Sequence, residues 1–126
     1  MQMGFTYLVA HEGLEHRWRD VLTTSGLLVT PDLRTLQERA KDLEAEDLFR
    51  TLDIRASLEN RAAVVCAKGA ARCCVSCTYD SDIRRYAISI SYFSRKDASN
   101  ERNRELVVWI DQLLRGNGAV DFDPSE

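Results

Sequence analysis

The chain has 126 residues, of which 44% are hydrophobic and 29% charged, and its formal net charge is −3. This composition is typical of one ordinary folded domain and excludes a collagen-like, low-complexity or disordered chain. No apolar run approaches the roughly 18–20 residues that a membrane helix needs, and no basic residue precedes the first apolar stretch, so no secretory signal is predicted. We therefore expect one compact cytoplasmic domain over residues 1–126, with a short acidic tail at about 119–126.

The first half of the chain predicts one strand followed by two helices. Residues 5–10 are rich in β-branched and aromatic side chains, which favours a strand. Apolar residues then recur at helical spacing, which predicts a helix over about 12–25. The dipeptide Thr30-Pro31 is typical of an N-cap followed by a first helical position, so the second amphipathic helix is predicted over about 31–50.

The second half predicts three strands and a final helix. Residues 63–66 form one candidate strand, and residues 71–79 and 86–92 alternate apolar and polar side chains with the period of a half-buried strand. Their short connections favour an antiparallel meander. A broad apolar face over 106–114 predicts the helix. Its candidate N-caps are Asp97, Ser99 and Asn100.

This order of elements, β-α-α-β-β-β-α, indicates an α+β fold. Helices that are segregated from an antiparallel sheet bury their apolar faces by packing against it as a second layer. We expect a sheet of three to four strands with about three helices packed on one face.

The four cysteines, Cys66, Cys73, Cys74 and Cys77, fall within a dozen residues of one strand-rich segment. Disulfide frameworks usually spread their cysteines to close loops, so reduced thiols are expected. Cys74 and Cys77 have the spacing of some zinc and redox sites, but alternation in a strand sends them to opposite faces. We expect small apolar core residues, with Cys74 on the more accessible face; zinc and redox roles stay as alternatives.

Charge is distributed unevenly along the chain. Residues 61–96 have a net charge of +5, whereas residues 31–60 have −3 and residues 97–126 have −4. Either Arg72 or Arg84 pairs with carboxylates on a packing helix, or the basic segment recruits an anionic partner. Direct nucleic-acid binding is not favoured, because the tyrosines of this segment share a stripe with isoleucines that belong to the core.

No catalytic constellation is recognisable in the sequence, and no cofactor or metal site is predicted. His11 and His16 lack the spacing of a zinc-binding helix, and the glycines form no phosphate-binding loop. An unrecognised small enzyme or ligand-binding domain remains an alternative.

We expect a non-enzymatic domain that binds and inhibits another protein, as immunity proteins of nuclease toxins and phage-encoded inhibitors of host defence do. One candidate target is a nucleic-acid-binding protein or nuclease whose basic groove the acidic helix occupies. The other interpretation of these acidic charges is ordinary solvation, balanced by Arg39, Lys41 and Arg50. The alternative is a homodimeric structural or regulatory module joined through the apolar seam from Leu33 to Leu43. Candidate partner-binding residues are Glu38, Asp42, Glu44, Glu46 and Asp47 in the acidic helix and Arg72, Arg84 and Arg85 in the basic segment.

Overall fold

The computed structural model describes residues 6–43 and 63–122, and the predicted α+β class is confirmed. The described elements are β1 (Thr6–Ala10), α1 (Leu14–Thr24), β2 (Leu28–Pro31), α2 (Leu36–Leu43), β3 (Ala63–Lys68), β4 (Ala71–Asp80), β5 (Arg85–Ser91), a 3-10 helix (Lys96–Ser99), α3 (Glu101–Arg115) and β6 (Ala119–Asp121).

The described strands form one antiparallel sheet in the order β2-β3-β4-β5-β1-β6. Strands β3, β4 and β5 are the predicted meander. The first strand returns to pair with β5, so that Leu8 lies opposite Ile88, and β6 adds to its other side. The sheet therefore has six strands in the described ranges, and the prediction of three to four is wrong.

The prediction that a helix begins at Thr30-Pro31 is also wrong. Both residues lie in β2 and pair with β3, which is possible because β2 is the terminal strand of the described sheet and proline is tolerated there. Helix α2 is preceded instead by a capping box. The hydroxyl of Thr35 accepts from the Glu38 N–H at 3.0 Å, and the Glu38 carboxylate accepts from the Thr35 N–H at 3.0 Å. The predicted continuation to residue 50 lies outside the described residues.

Strand β6, at the beginning of the acidic tail, is a second element that the sequence does not indicate. It has three residues, too few to show a period, and it forms because β1 pairs with it. Arg115 ties it to the end of α3. Its guanidinium donates to Asp111 at 3.0 Å and to Asp121 at 2.7 Å.

Helices α1 and α3 agree with their predictions. Helix α1 lies within the predicted 12–25. The N-cap of α3 is Asn100, whose side-chain oxygen accepts from the N–H groups of Arg102 and Asn103. No helix in the described part of the chain is long and apolar enough to cross a membrane.

The main core lies where α1 and α3 cover one face of the sheet. Alternate residues of β4, β5 and β1 point into it, as their period predicts. Because these residues come from distant parts of the sequence, the core joins both ends of the described chain. Its fully buried members include Leu8, Leu14, Leu22, Cys73, Val75, Ile88, Ile90, Ile110 and Leu114.

Gly118 closes the contact between the loop before β6 and the loop before α1. Its φ is +115°, and a Cβ there would lie 2.7 Å from the carbonyl oxygen of His11. We expect Gly118→Ala to lower the free energy of unfolding, measured in urea, by about 1–3 kcal/mol. Gly69→Ala is the matched control, because Gly69 has a φ of +59° but no atom within 4 Å of the added Cβ. Equal losses in both variants would contradict the steric argument.

Candidate functional site

A cluster of charged side chains lies where the chain passes from β2 into α2, beside β4. We call it the charge cluster. The side chains of Asp32 and Arg39 are almost fully buried, and that of Arg34 is largely buried. Charges this far from water are costly unless each one is paired and hydrogen-bonded. The members of the charge cluster are Asp32, Arg34, Arg39, Asp42 and Cys74.

The guanidinium of Arg34 has a partner for every one of its N–H groups. Its Nε donates to Asp32 Oδ1 at 3.0 Å, and one Nη2 hydrogen goes to Asp32 Oδ2 at 2.9 Å. The other Nη2 hydrogen goes to Cys74 Sγ at 3.2 Å. Nη1 donates to Asp42 Oδ2 at 2.9 Å and to the Phe93 carbonyl at 2.8 Å. A guanidinium has five donors and no acceptor, so this one has none left for a ligand.

The surroundings of the charge cluster fix the protonation of Asp32 and Cys74. Burial would raise the pKa of Asp32, but the hydrogen bonds and charge of Arg34, with the charge of Arg39, outweigh it and hold that pKa below its ordinary value. Burial raises the pKa of Cys74 to about 12, although both arginines oppose the rise. The thiol is therefore protonated at neutral pH and donates to Asp32 Oδ2 at 3.7 Å. A protonated, buried thiol is a poor nucleophile.

All four cysteines are free and buried. The expectation that Cys74 is accessible is wrong: it is 1% exposed, because the charge cluster covers its side of β4. Burial also raises the pKa of Cys66 and of Cys77 to about 12. Within residues 6–43 and 63–122, no three histidine, cysteine or acidic side chains come together as a candidate metal site.

Arg72 pairs with the 3-10 helix that precedes α3. Its Nε donates to Asp97 Oδ2 at 2.7 Å. Its guanidinium carbon lies 4.0 Å from the centre of the Phe93 ring, and that of Arg34 lies 3.7 Å from the same centre. The ring thus contacts two arginines, each of which has its own carboxylate partner. For Arg72, but not for Arg84, this arrangement fits the interpretation that basic sheet residues are balanced by the helical layer.

The acidic residues predicted to bind a partner are only partly within the described chain. Glu38 closes the capping box of α2, and Asp42 pairs with Arg34. Both carboxylates therefore have partners inside the fold. The other three, Glu44, Glu46 and Asp47, lie outside the described residues.

The end of the β4–β5 hairpin, residues 79–86, presents a different surface, which we call the hairpin end. Tyr79 and Tyr86 lie directly opposite each other, with ring centres 5.3 Å apart and an edge-to-face angle of 67°. They are 49% and 39% exposed. They continue the core-facing side of β4 and β5 to a point where the packing helices no longer cover it. The assignment to the core is therefore wrong for Tyr79 and Tyr86, whereas Tyr92, which was assigned to the same stripe as Tyr86, is buried in the core as predicted.

The charges of the hairpin end differ in how far they are used inside the fold. Asp80 accepts a short hydrogen bond from the Tyr7 hydroxyl and another from the Asp82 N–H at 2.9 Å. Burial, with the neighbouring Asp80 carboxylate, raises the pKa of Tyr7. Arg84 and Arg85 are exposed, and no hydrogen bond or ion pair engages their side chains in the described part of the chain.

Sequence reasoning singled out Arg84 and Arg85 but missed both the tyrosine pair and Arg34. The available signal for Arg34 was the capping-box pattern at 35–38. This pattern marks the start of α2, so Arg34 is the last residue of the connection from β2. For the tyrosines, the signal was their position on either side of a four-residue hairpin loop.

Comparisons with protein-family models, with curated proteins and with solved structures found no match to this chain.

Serine substitutions distinguish the two sides of β4. We expect Cys73→Ser to lower the free energy of unfolding by about 1–3 kcal/mol, because its hydroxyl enters the apolar core without a polar partner. Cys74→Ser should cost less, since Asp32 and Arg34 can bond the hydroxyl, whereas Cys74→Val should cost more because it leaves them without that partner. Denaturant unfolding of the three variants measures this order. Equal losses for the two serine variants would contradict it.

The lowered pKa of Asp32 predicts a pH dependence. Its folded pKa lies below its unfolded value of about 3.9, so the stabilisation by the carboxylate is present above that value and is lost as the pH falls through the folded pKa. The difference in unfolding free energy between wild type and Asp32→Asn should therefore shrink below about pH 4. Gly118→Ala, which removes no titratable group, should show a constant difference. A difference for Asp32→Asn that does not change with pH would refute the assignment.

Proposed function

We propose that this chain is a small non-enzymatic protein-binding domain that inhibits another protein by occupying its surface. The observation that supports this is the hairpin end, where an exposed tyrosine pair lies beside Arg84 and Arg85. Tyrosine and arginine are enriched among the residues that contribute most of the energy of protein interfaces. Immunity proteins and phage-encoded inhibitors are classes that work in this way. Four free thiols favour a reducing compartment, the cytoplasm.

The hairpin end favours a protein partner over a nucleic acid. Asp80 and Asp82 lie in the same eight residues as the two arginines, and carboxylates repel a phosphate backbone. The tyrosine rings pack edge to face against each other, so they do not form the open parallel platform on which bases stack. Mixed charges around an aromatic centre suit a complementary protein surface.

The hairpin end supports this proposal better than the acidic helix does. Glu38 and Asp42 already bond inside the fold, and engaging a partner would require these bonds to break. Arg84 and Arg85 can contact a partner without breaking any side-chain bond inside the described part of the fold. We therefore place the contact at the hairpin end, and no basic groove is needed on the partner.

A capture experiment tests the proposal. The immobilised chain, its Tyr79→Ser/Tyr86→Ser variant and its Val108→Ser variant are incubated with lysate of the native host. We expect wild type and Val108→Ser to retain one stoichiometric protein, which the tyrosine variant loses. Val108 is the matched control, because it is an exposed apolar residue (55%) on α3 and not part of the hairpin. The purified partner should then lose its own activity at an equimolar ratio.

Folding of the tyrosine variant is checked by circular dichroism and thermal melting, because the lost ring contact itself contributes about 0.5–1.5 kcal/mol. Recovery of chaperones alone, in repeated captures, would overturn the proposal. Equal capture by the tyrosine variant would remove the hairpin end as the contact surface.

A homodimeric module is the second candidate, and Leu33 is the residue that favours it, because it is 88% exposed. Leu43, however, is buried in the core, so the two ends of the predicted seam do not lie on one open surface. Light scattering at micromolar concentration distinguishes a monomeric protein-binding domain from a homodimeric module. We expect the mass of one chain, and twice that mass would favour the dimer.

A further inference from the structure

Arg84 occupies a backbone conformation that suits glycine. Its φ is +55°, in the left-handed region where a Cβ crowds the backbone and side-chain-bearing residues are strained. Within the described ranges, six residues have positive φ, and four of them are glycines. The other two are Glu12 and Arg84.

The fold gives no internal reason for an arginine at this position. The Arg84 side chain is exposed, and in the described residues no hydrogen bond or ion pair holds it. A glycine would allow the same turn at a lower conformational cost. A strained residue whose side chain contributes nothing to its own fold indicates a use outside the fold.

We propose that Arg84 is a specificity residue of the hairpin end and that it binds a carboxylate on an acidic surface of the partner protein. This inference depends on the proposed function. The hairpin end is balanced in charge, with Asp80 and Asp82 beside Arg84 and Arg85, so the group that Arg84 recognises follows from its own chemistry. Asp80 is bonded inside the fold by Tyr7 and by the Asp82 N–H, whereas the guanidinium of Arg84 has no partner in the described residues. A guanidinium binds a carboxylate through two parallel hydrogen bonds, which fixes orientation as well as charge.

The proposal predicts opposite effects of Arg84→Gly on stability and on binding. Replacing the strained arginine relieves the backbone, so the melting temperature should rise by about 2–5 °C. Affinity for the partner should fall by about 10- to 100-fold, as expected for the loss of a charged contact at an interface.

Two matched variants separate backbone relief from charge. Glu12 is the other non-glycine residue with positive φ in the described ranges, and it lies before α1, outside the hairpin. Glu12→Gly should therefore raise the melting temperature by relieving the backbone and leave the affinity for the partner unchanged. Arg84→Lys keeps the charge and the strain but not the paired hydrogen bonds. It should leave the melting temperature unchanged and weaken binding less than Arg84→Gly does.

The probe for binding is the protein captured on the wild-type chain, purified and titrated by calorimetry at low and high salt. We expect Arg84→Gly to weaken binding at low salt and to reduce its salt dependence. A 20-nucleotide single-stranded DNA, measured by fluorescence polarisation, is the comparison and should not bind.

Each contrary outcome has a distinct meaning. If the captured protein binds Arg84→Gly as tightly as wild type, the role of Arg84 is overturned while the proposed function stands. If Arg84→Gly does not raise the melting temperature, the strain argument and the inference fail. Binding of the DNA that depends on Arg84 would overturn a protein partner for this surface. If no stoichiometric protein is captured, the inference and the proposed function both fail.

Discussion

The buried ion pair between Asp32 and Arg34 is the interaction on which the arrangement of one side of the sheet depends. Asp32 directly follows β2, and Arg34 reaches from there to α2, to Cys74 of β4 and to the carbonyl of Phe93 beyond β5. One guanidinium therefore fixes the relative positions of four segments. Removing either partner of such a pair leaves a charge buried without compensation, which typically costs about 3–5 kcal/mol. The hydrogen bonds of the pair are directional, whereas apolar packing alone is not. The pair therefore contributes a defined orientation of these segments despite that energetic cost.

Elements with a local pattern could be predicted from the sequence, and elements formed by distant pairing could not. The alternation along β4 and β5 and the cap at Asn100 are encoded within a few neighbouring residues. Strands β2 and β6 are too short to show a period, and each exists because a remote strand accepts its backbone hydrogen bonds. The candidate site divides in the same way. Charge alone predicts Arg84 and Arg85 as candidates, whereas the exposure of Tyr79 depends on where the covering helices end.

The charged residues of the described chain differ in whether they have partners inside the fold. Those near α2 and the 3-10 helix, such as Arg72 with Asp97, meet partners inside the fold and set its geometry. At the hairpin end, Arg84 and Arg85 are directed toward solvent, whereas Asp80 is bonded to Tyr7. A net charge summed over a segment counts paired and solvent-directed residues together. The basic character of residues 61–96 therefore does not by itself indicate which surface could bind a partner. Burial and bonding of individual side chains separate the paired residues from the solvent-directed ones.

The position of β1 in the sheet has a consequence for the order in which the molecule assembles. Its neighbours are β5 and β6, so Leu8 lies opposite both Ile88 and Asp121, and its two edges are completed by segments that the ribosome makes much later. Contacts this distant in sequence impose a large loop-closure entropy and slow folding. During synthesis the hydrogen-bonding edges of β1 have no native partner until β5 emerges, and unpaired strand edges of this kind are prone to aggregate. Strand β6 has only three residues, yet it provides the pairing partner for the second edge of β1.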